Sequence, residues 1–145
     1  MKKINKKIMA FSLMVFLSVT MAHAAGNHNS ITVFQDPNCG CCDGWTAHMQ
    51  ASGFKVKSIK STEMAAIKQK LGVPYELASC HTAVINETGQ IIEGHVPANA
   101  VNKLLADASV KGVAAPGMPL NSPGMGQLDG NLVTVDFNGK PFSRD

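Results

Sequence analysis

Once its first two dozen residues are set aside, this 145-residue chain lacks a surplus of charge of either sign. Nine basic and ten acidic side chains remain beyond residue 24, a net charge of −1, so the overall +3 belongs to the leading segment. No basic stripe of the kind that tracks a phosphate backbone is left, which excludes a nucleic-acid partner. The chain also lacks a second long apolar run. Its one such run, Ile8 to Met21, follows Lys2, Lys3, Lys6 and Lys7 and precedes Ala22-His23-Ala24. A basic start, a short apolar stretch and a small-x-small site predict a secretory signal over residues 1–24, with no stable membrane insertion after its cleavage. No long internal repeat is present, which leaves residues 25–145 as a single domain with a modest core.

Cysteine is scarce as well, and its distribution excludes a disulfide-stapled scaffold. Export implies an oxidising compartment, where four cysteines would ordinarily form two bridges. Cys39, Cys41 and Cys42 instead fall within four residues, and only Cys80 is distant. Bridges that stabilise by closing long loops need separated partners, so at most one is available. The crowded stretch Cys39-Gly40-Cys41-Cys42 follows the apolar run Ile31 to Phe34 and the turn residues Asp36-Pro37-Asn38. That pattern is a strand-to-helix junction. Unpaired amides at a helix start favour thiolate, which is a nucleophile toward disulfides and a soft ligand for Cu(I), Zn(II) or iron–sulfur clusters.

Periodicity supplies the remaining elements. Asp43 to Ser52 reads as a helix with Trp45 and Met49 on its inner face and Gly53 as its stop. Phe54 to Ile59 alternates as a half-buried strand, and Ser61 to Leu71 carries an apolar stripe of Met64, Ile67 and Leu71. His81–Ile85 and Ile91–Val96 flank Glu87-Thr88-Gly89-Gln90 as a hairpin. Pro97 opens a third helix along which Val101, Leu104, Leu105 and Ala108 recur. Beyond Lys111 the Pro/Gly-rich segments around Met118 and Met125 read as irregular, followed by a strand over Leu132–Phe137 and a terminal hairpin turning at Asn138-Gly139. The Asn86-Glu87-Thr88 sequon is read as chance.

The order β-α-β-α-β-β-α, with a dicysteine loop after the first strand, resembles the thioredoxin fold over about residues 30–110, with 111–145 as a C-terminal extension. The resemblance implies an α/β domain with a central four-stranded mixed sheet. Its third strand runs antiparallel beside the first, which brings Cys80 next to the dicysteine loop. Thioredoxins carry a cis-proline at that point; this chain reads Ser79-Cys80-His81-Thr82, so a peptide-selecting proline is missing and a thiol and an imidazole stand in its place. A hairpin turn centred on Thr88-Gly89 sets His95 close to Thr82 and diagonal to His81.

Metal preference follows from ligand type. Zinc takes four tetrahedral ligands, usually from spaced pairs, and three thiols in one turn cannot easily face a single ion. Crowded thiolates can bridge several Cu(I) ions, which accept low coordination numbers and shared sulfur. Iron–sulfur ligation draws no specific support. Met118 and Met125 sit on Pro/Gly loops poorly suited to core packing, and their thioethers suit Cu(I). Met49 and Met64 read as core, and His48 as surface or supporting. Gly26-Asn27-His28 would form a Cu(II)-binding amino terminus only if cleavage fell after Ala25.

Export, Asp36-Pro37-Asn38-Cys39-Gly40-Cys41-Cys42-Asp43-Gly44-Trp45, Ser79-Cys80-His81-Thr82 and Glu93-Gly94-His95-Val96-Pro97 together resemble the exported CopG-type copper-resistance proteins. The resemblance implies a periplasmic Cu(I)-binding protein with a multinuclear thiolate site. It also implies a part in copper tolerance, by holding copper or by interconverting Cu(I) and Cu(II). Cys39, Cys41, Cys42 and Cys80 are the expected thiolate ligands, with His81, His95, Met118 and Met125 as candidates to complete or cap the site. The expected partners are copper ions, with other periplasmic copper carriers or an efflux system beyond them. On this reading the chain is a metal-binding protein rather than an enzyme. The alternative is a thioredoxin-type thiol–disulfide oxidoreductase in which Cys39 attacks and Cys42 resolves.

Overall fold

The computed structural model describes residues 30–145. The signal segment and Gly26-Asn27-His28 lie outside the described residues. Strand β1 (Ser30–Gln35) leads through a four-residue loop into helix α1 (Gly40–Ala51), followed by β2 (Lys55–Lys60) and α2 (Met64–Lys70). A short 3-10 turn at Tyr75–Leu77 precedes the hairpin β3 (His81–Ile85) and β4 (Ile91–Gly94). Helix α3 (Ala98–Leu105) then connects to β5 (Gly112–Ala115), and β6 (Val133–Asp136) and β7 (Pro141–Arg144) close the chain. All seven strands join one mixed sheet in the order β2-β1-β3-β4-β5-β6-β7. β1 pairs parallel with β2 and antiparallel with β3, and β4 pairs parallel with β5.

Alternation along the strands decides which face is core. Ile31, Val33 and Gln35 are buried while their neighbours are half-buried, as a period of two requires. Their register partners Ile85, Ala83 and His81 share that face. Trp45 and Met49 of α1 and Val101 and Leu104 of α3 pack against it. The opposite face carries Thr82 opposite Glu93 and receives Lys68 of α2. α2 has no fully buried residue, so its apolar stripe is only half-covered.

The expected elements are present, and the sheet is larger than expected. It has seven strands rather than four, because residues 112–115 form β5, a strand not expected from the sequence, which joins the expected terminal hairpin β6–β7 to the central sheet. Gly112 and three apolar residues carry little strand signal, and pairing with β4 and β6 decides the outcome. Gly112 is required there: a Cβ would lie 2.6 Å from the Phe137 ring and 2.9 Å from the Ile91 carbonyl oxygen. Ala108 falls beyond the end of α3 and is exposed. The hairpin also turns one residue earlier than expected. Ile85 N–H donates to the Gln90 carbonyl, and Thr82 stands opposite Glu93, so His95 lies past the end of β4.

Candidate metal centre

The loop between β1 and α1 is built to present sulfur. Asp36 accepts backbone N–H bonds from Asn38 (Oδ1, 2.8 Å) and Cys39 (carbonyl, 3.1 Å), which turns the chain sharply into α1. Cys39 is the N-cap of α1, and Cys41 and Cys42 fall in its first turn. Cys39 and Cys42 are joined in a disulfide, leaving Cys41 and Cys80 as free thiols. Cys41 Sγ lies 3.5 Å from Cys39 Sγ and 3.9 Å from Cys80 Sγ. All four sulfur atoms lie within 4.8 Å of one another, a group able to hold a metal ion.

A second group sits deeper. The Cys42 sulfur and one ring nitrogen from each of His81 and His95 also lie within 4.8 Å of one another, and all three residues are buried. Cys42 thus belongs to both groups. His95 Nδ1 stands 2.6 Å from the Pro123 carbonyl oxygen. A carbonyl only accepts, so Nδ1 carries the proton and Nε2 keeps its lone pair. That Nε2 is buried and unpartnered among the described residues. A ring fixed through one nitrogen with the other free is how metal-binding histidines are held. His81 packs at 4.4 Å from the Trp45 ring and 5.0 Å from that of His95. Neither of its nitrogens meets a well-oriented hydrogen-bond partner among the described residues.

Electrostatics keep both rings neutral. Burial holds His81 well below its ordinary value, helped by His95 and Lys68 and partly opposed by the Gly94 backbone. Burial also lowers His95, against the bond to Pro123. Neutral imidazole is the form that binds metal. The Cys80 thiol is pushed up to about 11, by burial first and then by Cys41, with Lys68 and Ser79 opposing. It is therefore protonated in the metal-free state at neutral pH, and a metal would have to displace that proton.

The long connection between β5 and β6 folds back onto this region. Gly124, at φ +86°, packs so closely on α1 that a Cβ would lie 2.5 Å from the Cys41 carbonyl oxygen and 2.6 Å from the Trp45 nitrogen. This contact brings Pro123 to His95. Met118, on the same connection, is 44% exposed. With Ala78, Ser79, Cys80 and Gly117 it lines an open hollow of about 460 Å³. Met125 is half-buried two residues beyond Pro123.

The structure brings the four cysteines together, brings His81 and His95 to Cys42, and sets Met118 beside Cys80. His48 lies apart from both groups: its Nε2 accepts the Ala98 N–H at 3.1 Å and so satisfies the start of α3. Trp45 is buried, with Nε1 donating to the Val96 carbonyl at 2.8 Å, and it closes one side of the inner group. Sequence reasoning missed Pro123, whose contribution is a backbone atom, and Glu93. The Glu93 carboxylate is fully buried behind the Cys80–His81 segment. Burial raises its pKa, and Lys68, Thr82 and the Ser79 amide oppose that rise. A lone acid inside an apolar hairpin strand was the available signal.

A family described as a protein of unknown function, DUF411, matches residues 77–125. Two solved structures, Form 1 and Form 2 of a copper resistance protein CopG, are each 43% identical to this chain with a TM-score of 0.70. The matches cover 80% of this chain and 96% and 97% of theirs. Among curated proteins no match is found.

Proposed function

Because the chain belongs to the CopG family of copper resistance proteins, we propose that it binds Cu(I) at more than one position and serves copper tolerance in the periplasm. On this reading residues 1–24 direct export, and residues 25–145 form one thioredoxin-like domain extended by β5–β7. The β2-β1-β3-β4 half of the sheet, with α1 and α3 on one face, supports that description. No helix among the described residues is long and apolar enough to cross a membrane.

The observation that carries the proposal is Cys42, shared between a four-sulfur group and a buried group of one sulfur and two imidazoles. A sulfur common to two donor sets is what a multinuclear thiolate site needs, and Cu(I) tolerates shared sulfur and low coordination. Cys39, Cys41, Cys42 and Cys80 supply thiolate, His81 and His95 supply neutral nitrogen, and Met118 and Met125 offer thioether caps. Copper here is cargo. With the Cys39–Cys42 disulfide closed, two of the four sulfurs cannot ligate fully. An external dithiol reductant must supply two electrons and two protons, itself closing to a disulfide, before the site opens, and this couples copper uptake to thiol redox state. It also leaves room for Cu(I)/Cu(II) interconversion and for handover to other periplasmic carriers or an efflux system.

Anaerobic titration of the reduced protein with Cu(I) and with Zn(II), followed by metal analysis, tests the reading. More than one tightly held copper per chain is expected, held more tightly than zinc. One zinc and no tight Cu(I) would refute it.

One observation favours a second reading. The Cys39–Cys42 bond has C-x-x-C spacing, with the first sulfur half-buried and the second enclosed, as a thiol–disulfide oxidoreductase would have. Cys41, 3.5 Å from Cys39, and Cys80 beyond it would compete for any mixed disulfide. Insulin reduction that survives in Cys80→Ser and disappears in Cys39→Ser would favour the enzyme.

A further inference from the structure

We infer that Glu93 is the positioning residue that holds the Cys80–His81 ligand pair, a role that rests on the copper reading and extends it. The carboxylate brackets the pair. One oxygen accepts the backbone N–H of Ser79 at 2.6 Å, on the near side of Cys80. The other accepts the Thr82 hydroxyl at 2.6 Å, on the far side of His81. Lys68 of α2 donates to the first oxygen at 2.5 Å and to the Thr82 hydroxyl at 2.9 Å. The carboxylate is fully buried, and the Lys68 side chain is only 14% exposed. A buried charge is retained only with such partners, and removing one leaves the rest uncompensated.

The geometry explains why this clamp is needed. Cys80 precedes β3, so no strand pairing fixes its backbone. Gly94, at φ +70°, lets the two chain segments approach: a Cβ there would lie 2.7 Å from the Ser79 hydroxyl. Glu93 and His95 therefore project from a tight turn of backbone, the first onto the α2 face and the second toward Cys42. One short segment, Glu93-Gly94-His95, supplies a ligand to the inner group and anchors the Cys80–His81 pair from behind. This gives the buried ion pair a purpose beyond attaching the sparsely packed helix α2.

Glu93→Gln keeps the side-chain volume and removes the charge. The metal-free reduced protein is followed first, by amide hydrogen exchange over residues 78–82. Exchange should be about tenfold faster than in the unaltered protein, because hydrogen bonds to a charged group are lost, while β1 stays protected. Cu(I) affinity is then measured by competition with a chromogenic chelator. A loss of about tenfold to a hundredfold is expected, together with an altered copper–thiolate absorption band. A merely structural role would lower thermal stability and leave that band unchanged.

A folded Glu93→Gln with unaltered exchange overturns the inference, as does faster exchange with unaltered affinity and band. Faster exchange in a protein that binds no Cu(I) before substitution would uphold the clamp and defeat the copper reading instead. Where Glu93→Gln does not fold, Thr82→Val removes one arm of the clamp and should shift both readouts in the same direction by less; no shift overturns the inference.

Discussion

The two donor groups share Cys42 and differ in almost everything else. The outer group is all sulfur, comes mostly from one turn of chain, and is half-exposed apart from Cys42. The inner group is one sulfur and two nitrogens drawn from α1, the start of β3 and the turn after β4, and it is fully buried. A half-exposed sulfur group can exchange ions and electrons with other molecules. A buried group of neutral rings, one locked by a carbonyl and one against an indole, is preorganised and excludes water. On the copper reading proposed above, this pairing would separate acquisition from retention, with the Cys42 sulfur as the atom common to both.

Cys42→Ser is the strongest way to break that comparison. It removes the only ligand common to both groups, so multi-copper binding should be lost, whereas Cys80→Ser and Cys39→Ser should each damage the outer group to a similar degree and spare the inner one. Copper-to-protein ratios after anaerobic loading measure the difference. If Cys42→Ser retains as much copper as Cys80→Ser, the groups do not share a ligand.

The outer group was legible in the sequence because three of its members are neighbours. Cys80 was reached through topology: a third strand antiparallel to the first returns its start to the β1–α1 junction, and the register Gln35 opposite His81 bears this out. The inner group was legible only in part. His95 was expected opposite Thr82, but the hairpin turns one residue earlier and a two-residue slide follows. His95 still reaches His81 because it leaves the strand at Gly94 instead of continuing it. What sequence could not give is what comes from non-local backbone. The Pro123 carbonyl reaches His95 only because Gly124 nests on α1, and β5 exists because its neighbours pair with it. Composition marks the Pro/Gly-rich segments 115–119 and 122–126 as irregular, and beyond Ala115, the last residue of β5, that is right.

Acid and alkali provide a gentler probe, since each should affect a different group in the metal-free protein with the Cys39–Cys42 disulfide closed. His81 and His95, and His48 at the α3 cap, all have values lowered by burial. Their neutral forms are favoured on folding, so the unfolded chain binds more protons near and below pH 6.5. Their stability contribution is complete above about 6.5 and is lost as pH falls toward the folded values. Cys80 is raised from 9.0 to about 11, which has the opposite sense: its contribution is complete below 9.0 and is lost as pH rises through about 11. Denaturant midpoints across pH should therefore fall at an alkaline edge through Cys80 and at an acid edge through the histidines. The lowered Asp43, Asp107, Asp129 and Asp136 add to the acid loss at lower pH, and the raised Glu93 opposes it. Cys80→Ser should weaken the alkaline edge and leave the acid one. An alkaline edge unchanged by that substitution would mean the thiol is not the group responsible.

Met118 should give the smallest effect and sharpen the comparison at its outer rim. Its side chain is 44% exposed beside Cys80, with little packing to lose. Its backbone is held at φ 49°, a cost that leucine would bear equally. Met118→Leu keeps volume and apolarity while removing a soft donor. Metal-free thermal stability should be nearly unchanged, and Cu(I) affinity should fall by no more than about tenfold, as expected for one weak ligand at the edge of a thiolate site. The loss should vanish in Cys80→Ser, because the thioether can cap only copper that Cys80 helps to hold. A loss of equal size in both backgrounds would detach Met118 from the outer group, and a drop in metal-free stability would make it a packing residue.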